Sequence, residues 1–392
     1  MADRVDAHFA PARTLDGAVL APPDKSISHR AALLGAFGDG KARISRYLDS
    51  ADTLSTLDAV AALGASVDTG PCGPGALEVQ IGGFGLRGAT PPAGATIDAG
   101  NAGTLIRLLA GLLAGQEGRD FVLDGDESIR SRPMGRVAEP LLAMGASVET
   151  AEAGRPPVRI AGRRLQAIHY ELPVASAQVK SCVLLAGLAA DGATTVSEPA
   201  ASRDHTERML TAAGVTVHRN GRHVTVAGTD ELTLDELAIP GDPSSAAFAI
   251  AAGVLVAGSR LILRGVGVNW TRSGFVRIAQ RMGAIVIGDL EDEPGDEVAP
   301  TEPISDLDVT AGPLVGTVVE AEEVPLAIDE LPLVALLGCF AEGETVVRGA
   351  HELRLKETDR IAAVVDGLSG LGASIEATED GFAVTGTGST HW

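Results

Sequence analysis

The chain of 392 residues is long enough for two domains, and its 45% hydrophobic but only 3% aromatic composition predicts an aliphatic core. Its 52 acidic and 31 basic residues give a formal charge of −21, which argues against a nucleic-acid partner or attachment to an anionic membrane. No apolar run reaches the ~18 residues of a membrane span, no signal peptide is recognisable, and three scattered cysteines predict no disulfide framework. We therefore expect a cytoplasmic protein.

One pattern recurs along the chain: an apolar helical stretch, a glycine, and then an alternating strand. The glycine suits a helix C-cap, where the backbone turns left-handed before the strand begins. Before each copy, a polar or proline-containing segment opens another helix, so that the unit strand–helix–strand–helix–strand–strand occurs five times. Repeats of this size bury one face against their neighbours. The five glycines are Gly64, Gly145, Gly214, Gly283 and Gly372.

Two proline-rich segments, at 22–23 and 240–243, bracket the first three repeats. Because their prolines favour extended backbone over helix, we interpret them as crossovers between domains. We predict a domain over 23–239 that is inserted into a second domain made of 1–22 and 240–392. The first domain would hold three repeats and the second only two with the N-terminal strand region, which leaves a sixth repeat incomplete. The acidic stretch from Asp289 to Asp308 contains no basic residue and is interpreted as a solvated hairpin loop.

Basic residues gather at the repeat junctions although the chain as a whole is acidic. Many stand near predicted helix N-termini, where free N–H groups and the helix dipole favour an anion. At any single junction, ordinary N-caps and a solvated face explain the residues at least as well. Five such junctions together predict a small, multiply anionic ligand, which arginine binds through paired hydrogen bonds. These basic residues are Lys25, Arg30, Arg107, Arg130, Arg132, Lys180, Arg203, Lys356 and Arg360.

Two carboxylates, Asp329 and Glu357, stand beside these cations. A carboxylate among cations stays ionised and can act as a base, whereas a partly desolvated one can hold a proton and act as an acid. The alternative for Asp329 is a helix cap, and for Glu357 a surface salt bridge. Neither a dinucleotide-binding fingerprint nor a set of metal ligands occurs, so we expect no metal and no cofactor.

Seven segments resemble, in order and over almost the whole chain, the signatures of the 5-enolpyruvylshikimate-3-phosphate synthase family. They are Pro22–Arg30, Gly100–Arg107, Gly125–Met134, Ser176–Ser181, Ser202–Glu207, Gly241–Ser245 and Leu355–Arg360. The resemblance implies an α+β fold of two domains, each built from βαβαββ units about a pseudo-threefold axis. It implies a monomer that transfers the enolpyruvyl group of phosphoenolpyruvate to the 5-hydroxyl of shikimate 3-phosphate and releases phosphate.

The resemblance also implies roles for individual residues. Asp329 would take the 5-hydroxyl proton and Glu357 would protonate the methylene carbon, with Lys25 as the third catalytic residue. Shikimate 3-phosphate would be held by Lys25, Ser26, Arg30, Ser176, Gln178, Arg203 and Lys356. Phosphoenolpyruvate would be surrounded by Lys25, Gly103, Arg132, Gln178 and Arg360. The substrate-binding set is completed by Asn101, Thr104, Ala177, Ser202 and Asp329.

The sequence departs from the family pattern at three places. Pro23 stands where Gly is common, and Glu352 where many members carry an Asn on the sugar side. An Asp-His-Arg helix start and a later Lys, which members carry after the fifth repeat, have no match here. Two alternatives stay open: a remnant that binds shikimate 3-phosphate without completing the reaction, and the related transferase acting on UDP-N-acetylglucosamine. The second is disfavoured because none of the three cysteines fits a reactive loop.

Overall fold

The computed structural model describes residues 10–92, 94 and 96–389, and in them the chain forms 22 strands and 12 α-helices. The strands are β1 (Asp16–Leu20), β2 (Lys41–Leu48), β3 (Ser66–Pro71), β4 (Ala76–Gly82), β5 (Ile97–Asp98), β6 (Asp120–Asp124), β7 (Ser147–Ala151), β8 (Arg155–Ala161), β9 (Leu165–Gln166), β10 (His169–Glu171), β11 (Ala190–Asp191), β12 (Ala193–Ser197), β13 (Val217–Asn220), β14 (His223–Ala227), β15 (Glu236–Ala238), β16 (Arg260–Gly267), β17 (Ile285–Ile287), β18 (Ile304–Thr310), β19 (Val318–Val319), β20 (Glu342–Val347), β21 (Ser374–Ala377) and β22 (Phe382–Thr387).

The helices are α1 (Lys25–Phe37), α2 (Ala51–Ala62), α3 (Gly103–Ala114), α4 (Glu127–Ser131), α5 (Gly135–Ala143), α6 (Ala177–Gly187), α7 (His205–Ala212), α8 (Pro243–Leu255), α9 (Gly274–Arg281), α10 (Val324–Ala327), α11 (Leu331–Phe340) and α12 (Arg360–Gly370). Two short 3₁₀ turns occur at Glu152–Gly154 and His351–Leu355. Of the helices in the described ranges, none is long and apolar enough to cross a membrane.

Five four-stranded sheets share one topology, in which a parallel pair of strands is followed by an antiparallel hairpin. The sheets are β15-β2-β4-β3, β5-β6-β8-β7, β10-β12-β14-β13, β1-β16-β18-β17 and β19-β20-β22-β21. This arrangement confirms the five predicted repeats. Two opening strands are exchanged along the chain, because β15 completes the sheet of β2 and β1 completes the sheet of β16. Strand β15 and the rest of its sheet both lie between the two crossovers in the chain, and β1 and the rest of its sheet both lie outside them.

The glycine that ends the apolar helix of each repeat has the conformation expected from the sequence. All five have positive φ, between +85° and +111°. At Gly145 the N–H bonds the carbonyl of Leu142 at 3.0 Å, which closes the end of α5 before β7 starts. A residue with a Cβ is strained in this region, so glycine is the residue that lets helix and strand meet so closely.

Buried apolar side chains form two separate clusters. One is drawn from residues 27–239 and surrounds α1, α3 and α6, and the other combines Ala21 with residues 246–384 around α8 and α11. Aliphatic residues dominate both clusters, as the composition predicts. Helices α3 and α6 pack so closely that a Cβ at Gly111 would clash with the carbonyl oxygen of Cys182. The clusters are compatible with a domain over 23–239, and its boundaries stay a prediction.

The two crossovers run side by side where the halves of the chain meet. Asp24 N–H donates to the carbonyl of Pro240 at 2.9 Å, and Asp242 N–H donates to the carbonyl of Pro22 at 2.8 Å. Backbone groups in proline-rich segments have no helical partners, and these two hydrogen bonds satisfy four such groups. The N-caps of α1 and α8, which are Asp24 and Asp242, are therefore held close to each other.

The interpretation of residues 289–308 as a solvated hairpin loop is wrong in part. Glu302 is nearly buried and lies 2.6 Å from the ring of His205, and Glu291 lies 2.7 Å from the guanidinium of Arg208. The segment therefore packs against α7 and connects the two halves of the molecule. Its basic partners are 83 and 97 residues away in the chain, so local charge counting could not reveal them.

Candidate active site

Asp329 lies between two arginines from distant parts of the chain. Its Oδ2 accepts a hydrogen bond from Arg203, which precedes α7, and its Oδ1 accepts one at 3.0 Å from Arg360, which begins α12. Burial alone would raise the pKa of Asp329, but the charges of Arg203, Lys356 and Arg360 hold it well below its usual range. Asp329 is therefore ionised. It does not cap a helix, because Glu330 is the N-cap residue of α11.

Glu357 is bound to the same arginine. Its Oε1 accepts from Nε of Arg360 at 2.9 Å and from Nη2 at 2.7 Å. Partial burial opposes ionisation of Glu357, but its backbone hydrogen bond and Arg360 lower its pKa. Lys356 stands next to it, and desolvation, followed by the charges of Arg203 and Arg360, lowers the pKa of its ammonium against the pull of Asp329. One guanidinium thus holds both candidate catalytic carboxylates.

Lys25 and Ser26 occupy the first turn of α1. The helix is capped by Asp24, which accepts from the backbone N–H of Ile27 at 2.9 Å. The ammonium of Lys25 is half-exposed and pairs with Asp52 at 3.1 Å. Because this is a surface ion pair, it contributes little stability, and a bound anion can compete with Asp52 for Lys25.

Arg30 lies one turn further along α1 and is buried. Its Nε donates to Oγ1 of Thr206 at 2.7 Å, its Nη2 to Oγ of Ser181 at 2.8 Å, and its Nη1 to the carbonyl of Ser26 at 3.0 Å. Burial lowers the pKa of Arg30 to about 10, so it stays charged at neutral pH. Thr206 and Ser181 were not in the predicted set, although both lie inside motifs that carry the family resemblance.

The N-termini of α3 and α6 face each other through Gln178. Its Nε2 donates to Oγ1 of Thr104 at 3.0 Å, and its Oε1 accepts from Nη1 of Arg107 at 3.0 Å. Burial, reinforced by the charges of Arg132 and Arg136, lowers the pKa of Arg107 to about 10. Arg107 is a contact residue that the sequence marked only as one cation among several.

Gly103 lies beneath two guanidinium groups. A Cβ at this position would stand 2.7 Å from Nη1 of Arg132 and 2.9 Å from Nη1 of Arg107. Arg132 donates to Oδ1 of Asn101 at 3.0 Å, while its buried Nε has no hydrogen-bond partner in the described part of the chain. The charge of Arg132 also lowers the pKa of Glu357, so this cluster lies near the carboxylate.

The remaining predicted residues make hydrogen bonds outside the two groups described above, or none that involves their side chains. Ser176 is the N-cap of α6 and accepts from the N–H of Val179 at 3.4 Å, with the partly exposed Ala177 beside it. Ser202 is buried and donates to Glu198, so its hydroxyl is engaged with the protein. The structure thus brings most predicted residues into two groups, one around Arg360 and one around Gln178, and it turns Ser202 toward a separate ionic cluster.

Comparisons with known proteins identify the family. Residues 9–391 match the family model of EPSP synthase (3-phosphoshikimate 1-carboxyvinyltransferase). The 3-phosphoshikimate 1-carboxyvinyltransferase of Alkalilimnicola ehrlichii is 46% identical over 383 residues, which are 97% of this chain and 83% of the relative. That of Halorhodospira halophila is 49% identical over 378 residues, which are 96% of this chain and 83% of the relative.

The fold agrees as well. The EPSP synthase structure from Acinetobacter baumannii aligns with a TM-score of 0.82 at 42% sequence identity, covering 95% of this chain and 82% of that one. The predicted two-domain fold of βαβαββ units is therefore confirmed, and so is the resemblance carried by the seven motifs. The repeats, the paired carboxylates among cations and the matched sequences lead to one conclusion: the chain belongs to the EPSP synthase family.

Proposed function

We propose that this chain transfers the enolpyruvyl group of phosphoenolpyruvate to the 5-hydroxyl of shikimate 3-phosphate and releases phosphate. One observation supports this most strongly: Arg360 contacts both Asp329 and Glu357 at the place where Arg203 reaches over from the other half of the molecule. Two carboxylates among several cations suit a reaction that joins two anionic substrates and needs both a base and an acid.

Each proposed substrate site draws on both groups of residues. Shikimate 3-phosphate is assigned to the side of α1 and α6, and phosphoenolpyruvate to the side of Gly103 and Arg360. The phosphate and carboxylate groups would replace the protein carboxylates that now bind the cations, for example Asp52 on Lys25. The planar guanidinium groups of arginine would orient these anions through paired hydrogen bonds. Exclusion of water when the active site closes would strengthen the contacts. The residues assigned to shikimate 3-phosphate are Lys25, Ser26, Arg30, Ser176, Gln178, Arg203 and Lys356.

In the proposed first step, Asp329 takes the proton of the 5-hydroxyl while the hydroxyl oxygen bonds to C2 of phosphoenolpyruvate. Glu357 gives a proton to C3, so the double bond becomes a single bond and a tetrahedral intermediate forms. In the second step the bond from C2 to the phosphate oxygen breaks, and the Glu357 carboxylate takes back a proton from the new methyl group. This loss restores the double bond, and phosphate departs with the electrons of the broken bond and with the proton that Asp329 took from the hydroxyl.

For these roles the pKa of each carboxylate must rise, and binding of the anionic substrates would raise both. Asp329 is a weak base while two guanidinium groups hold it. When substrate anions take up Arg203 and Arg360, the pKa of Asp329 rises because two stabilising charges are withdrawn. The same exchange at Arg360 releases Glu357, whose pKa rises so that it can carry a proton.

The test is phosphate release by the purified chain given shikimate 3-phosphate and phosphoenolpyruvate, together and singly. Release that requires both substrates, and that falls strongly in Asp329→Asn, would support the proposal. Asp366→Asn is the matched control, because Asp366 lies exposed on α12, six residues beyond Arg360. Absence of release together with calorimetric binding of shikimate 3-phosphate would favour the alternative of a substrate-binding remnant. Absence of both would contradict either function.

We further propose that the protein is a cytoplasmic monomer with one domain over 23–239 and another formed by 1–22 and 240–392. The formal charge of −21 opposes self-association, and the two apolar clusters support the division. Sedimentation velocity at low and high salt tests the monomer, since a dimer at either salt concentration would contradict it. Cooperative unfolding of a separately expressed 23–239 fragment tests the domain boundary, and cell fractionation tests the location.

A further inference from the structure

Arg272 is a buried arginine at the junction of the two halves, in the turn that leads into α9. Its Nη1 donates to Oδ2 of Asp24 at 3.2 Å, and its Nη2 donates to Oδ1 of Asp242 at 3.2 Å. Its side chain is only 3% exposed, and the opposing charges of the two aspartates outweigh burial and raise its pKa above the usual value. One side chain therefore binds both crossovers.

The two aspartates are also helix caps. Asp24 accepts from the N–H of Ile27 in α1 at 2.9 Å, and Asp242 accepts from the N–H of Ser244 in α8 at 2.8 Å. Asp242 additionally accepts from the backbone N–H of Lys25 at 3.3 Å. An N-cap fixes where its helix starts and how the chain enters it. Arg272 thus sets the N-terminus of α1 relative to that of α8.

A second branch leads from Arg272 toward Asp329. Nη2 of Arg272 donates to the hydroxyl of Ser244 at 2.8 Å, and that hydroxyl donates to the carboxylate of Glu330. Glu330 is buried and directly follows Asp329 in the chain. Arg272 is therefore joined to two positions that the proposed reaction uses: to Lys25 through Asp242, and to Asp329 through Ser244 and Glu330.

We propose that Arg272 is a positioning residue that holds Lys25 and Asp329 at their working separation across the junction of the halves. The inference rests on the proposed function. An arginine is required because its planar fork reaches both aspartates and the serine hydroxyl at once, whereas the ammonium of lysine is a single point charge. Arg272 acts through its neighbours and has no assigned contact with substrate.

The experiment compares three variants that cut different branches. Asp24→Asn keeps a cap oxygen but loses the charge pair on the α1 side, so KM for shikimate 3-phosphate should rise about tenfold. Ser244→Ala cuts only the branch to Glu330, so kcat should fall while that KM stays close to wild type. Arg272→Lys should show both effects, with kcat about 10–100-fold lower, because displacement by about 1 Å of a catalytic group has this cost.

Arg277→Lys is the matched control, because Arg277 lies on the adjacent α9 and pairs with Asp292 at the surface. It should retain wild-type values. The amide exchange of Ile27 and Ser244 gives a readout that is independent of the reaction, and both amides should exchange faster in Arg272→Lys than in wild type. If wild type releases no phosphate, the proposed function fails, and amide exchange still tests the positioning role.

Three results would overturn the inference. One is wild-type kinetics and amide exchange in Arg272→Lys, and another is an equal loss in Arg277→Lys. The third is the absence of separate effects in Asp24→Asn and Ser244→Ala, that is, no rise of KM in the first and no fall of kcat in the second. These two variants leave Arg272 in place and remain informative if Arg272→Lys does not fold. A purely structural role predicts lower melting temperatures in both without the division between KM and kcat, so absence of that division would contradict a positioning role.

Discussion

In the described part of the chain, Lys180 forms a buried cluster with Glu198 and Glu207. Replacing Lys180 by Met removes the cation of this cluster. The Lys180 ammonium lies 2.8 Å from Glu198 and 2.7 Å from Glu207, and each of the three side chains is at most 6% exposed. Burial alone would lower the pKa of Lys180, but the two glutamates raise it above its usual value. Met has a similar length and fills the space, so the substitution tests the charge.

The expected destabilisation follows from what remains after the substitution. Two carboxylates would be left in the interior without a directly paired cation, and Oε2 of Glu207 already lacks a hydrogen-bond partner among the described residues. Removing one partner from a buried ion pair costs about 3–5 kcal/mol, because the other charge stays desolvated. The loss is a large part of the ~5–15 kcal/mol that typically separates folded from unfolded protein. Ser202 would be displaced as well, since its hydroxyl donates to Glu198.

The loss should depend on pH in a defined direction. Burial raises the pKa of Glu207 above its usual value even beside Lys180, and without the lysine this pKa rises further. A carboxyl whose folded pKa exceeds its unfolded pKa favours folding as the pH falls, because the folded state takes up the proton first. The difference in unfolding free energy between Lys180→Met and wild type should therefore shrink between pH 8 and pH 5.

Urea unfolding followed by circular dichroism at several pH values measures this difference. Lys41→Met is the control, because Lys41 is exposed at the start of β2 and should change stability by less than about 0.5 kcal/mol. Adding Glu207→Gln to Lys180→Met should recover part of the loss. A deficit below about 1 kcal/mol at neutral pH, or one that grows as the pH falls, would refute the reasoning.

Three further predictions concern the reaction. Glu357→Gln should lower kcat about 10²–10⁴-fold with nearly unchanged calorimetric affinity for shikimate 3-phosphate, and wild-type turnover would contradict its role as the acid. The pKa of Asp329 is held below its usual range, so free Asp329 stays ionised between pH 8 and 5. Asp329→Asn should therefore slow the reaction without moving the acid limb of the kcat/KM profile, and a moved limb would contradict this. Gly103→Ala should displace the guanidinium groups of Arg132 and Arg107 and raise KM for phosphoenolpyruvate about tenfold or more, with a KM within twofold of wild type counting against that packing.

The sequence by itself determined the repeat architecture and the family. Glycines such as Gly145 mark helix ends because only the backbone conformation they allow fits between helix and strand, which is a local requirement. The cations and carboxylates of the site could be identified for a related reason: Asp329, Glu357 and Arg360 lie in short segments whose order and residue types are characteristic of the family.

Only the tertiary structure decided which charges meet. The contact of Asp329 with Arg203 spans 126 residues and that of Arg30 with Thr206 spans 176 residues, and nothing in the local pattern of either segment indicates its partner. The same holds for Arg272, which lies 248 residues from Asp24. Ion pairs and hydrogen bonds act over a few ångströms in space, whereas sequence patterns show which residues are polar or apolar. The chain must therefore fold before an acidic loop becomes a buried ion-pair partner or one arginine comes to hold two helix caps.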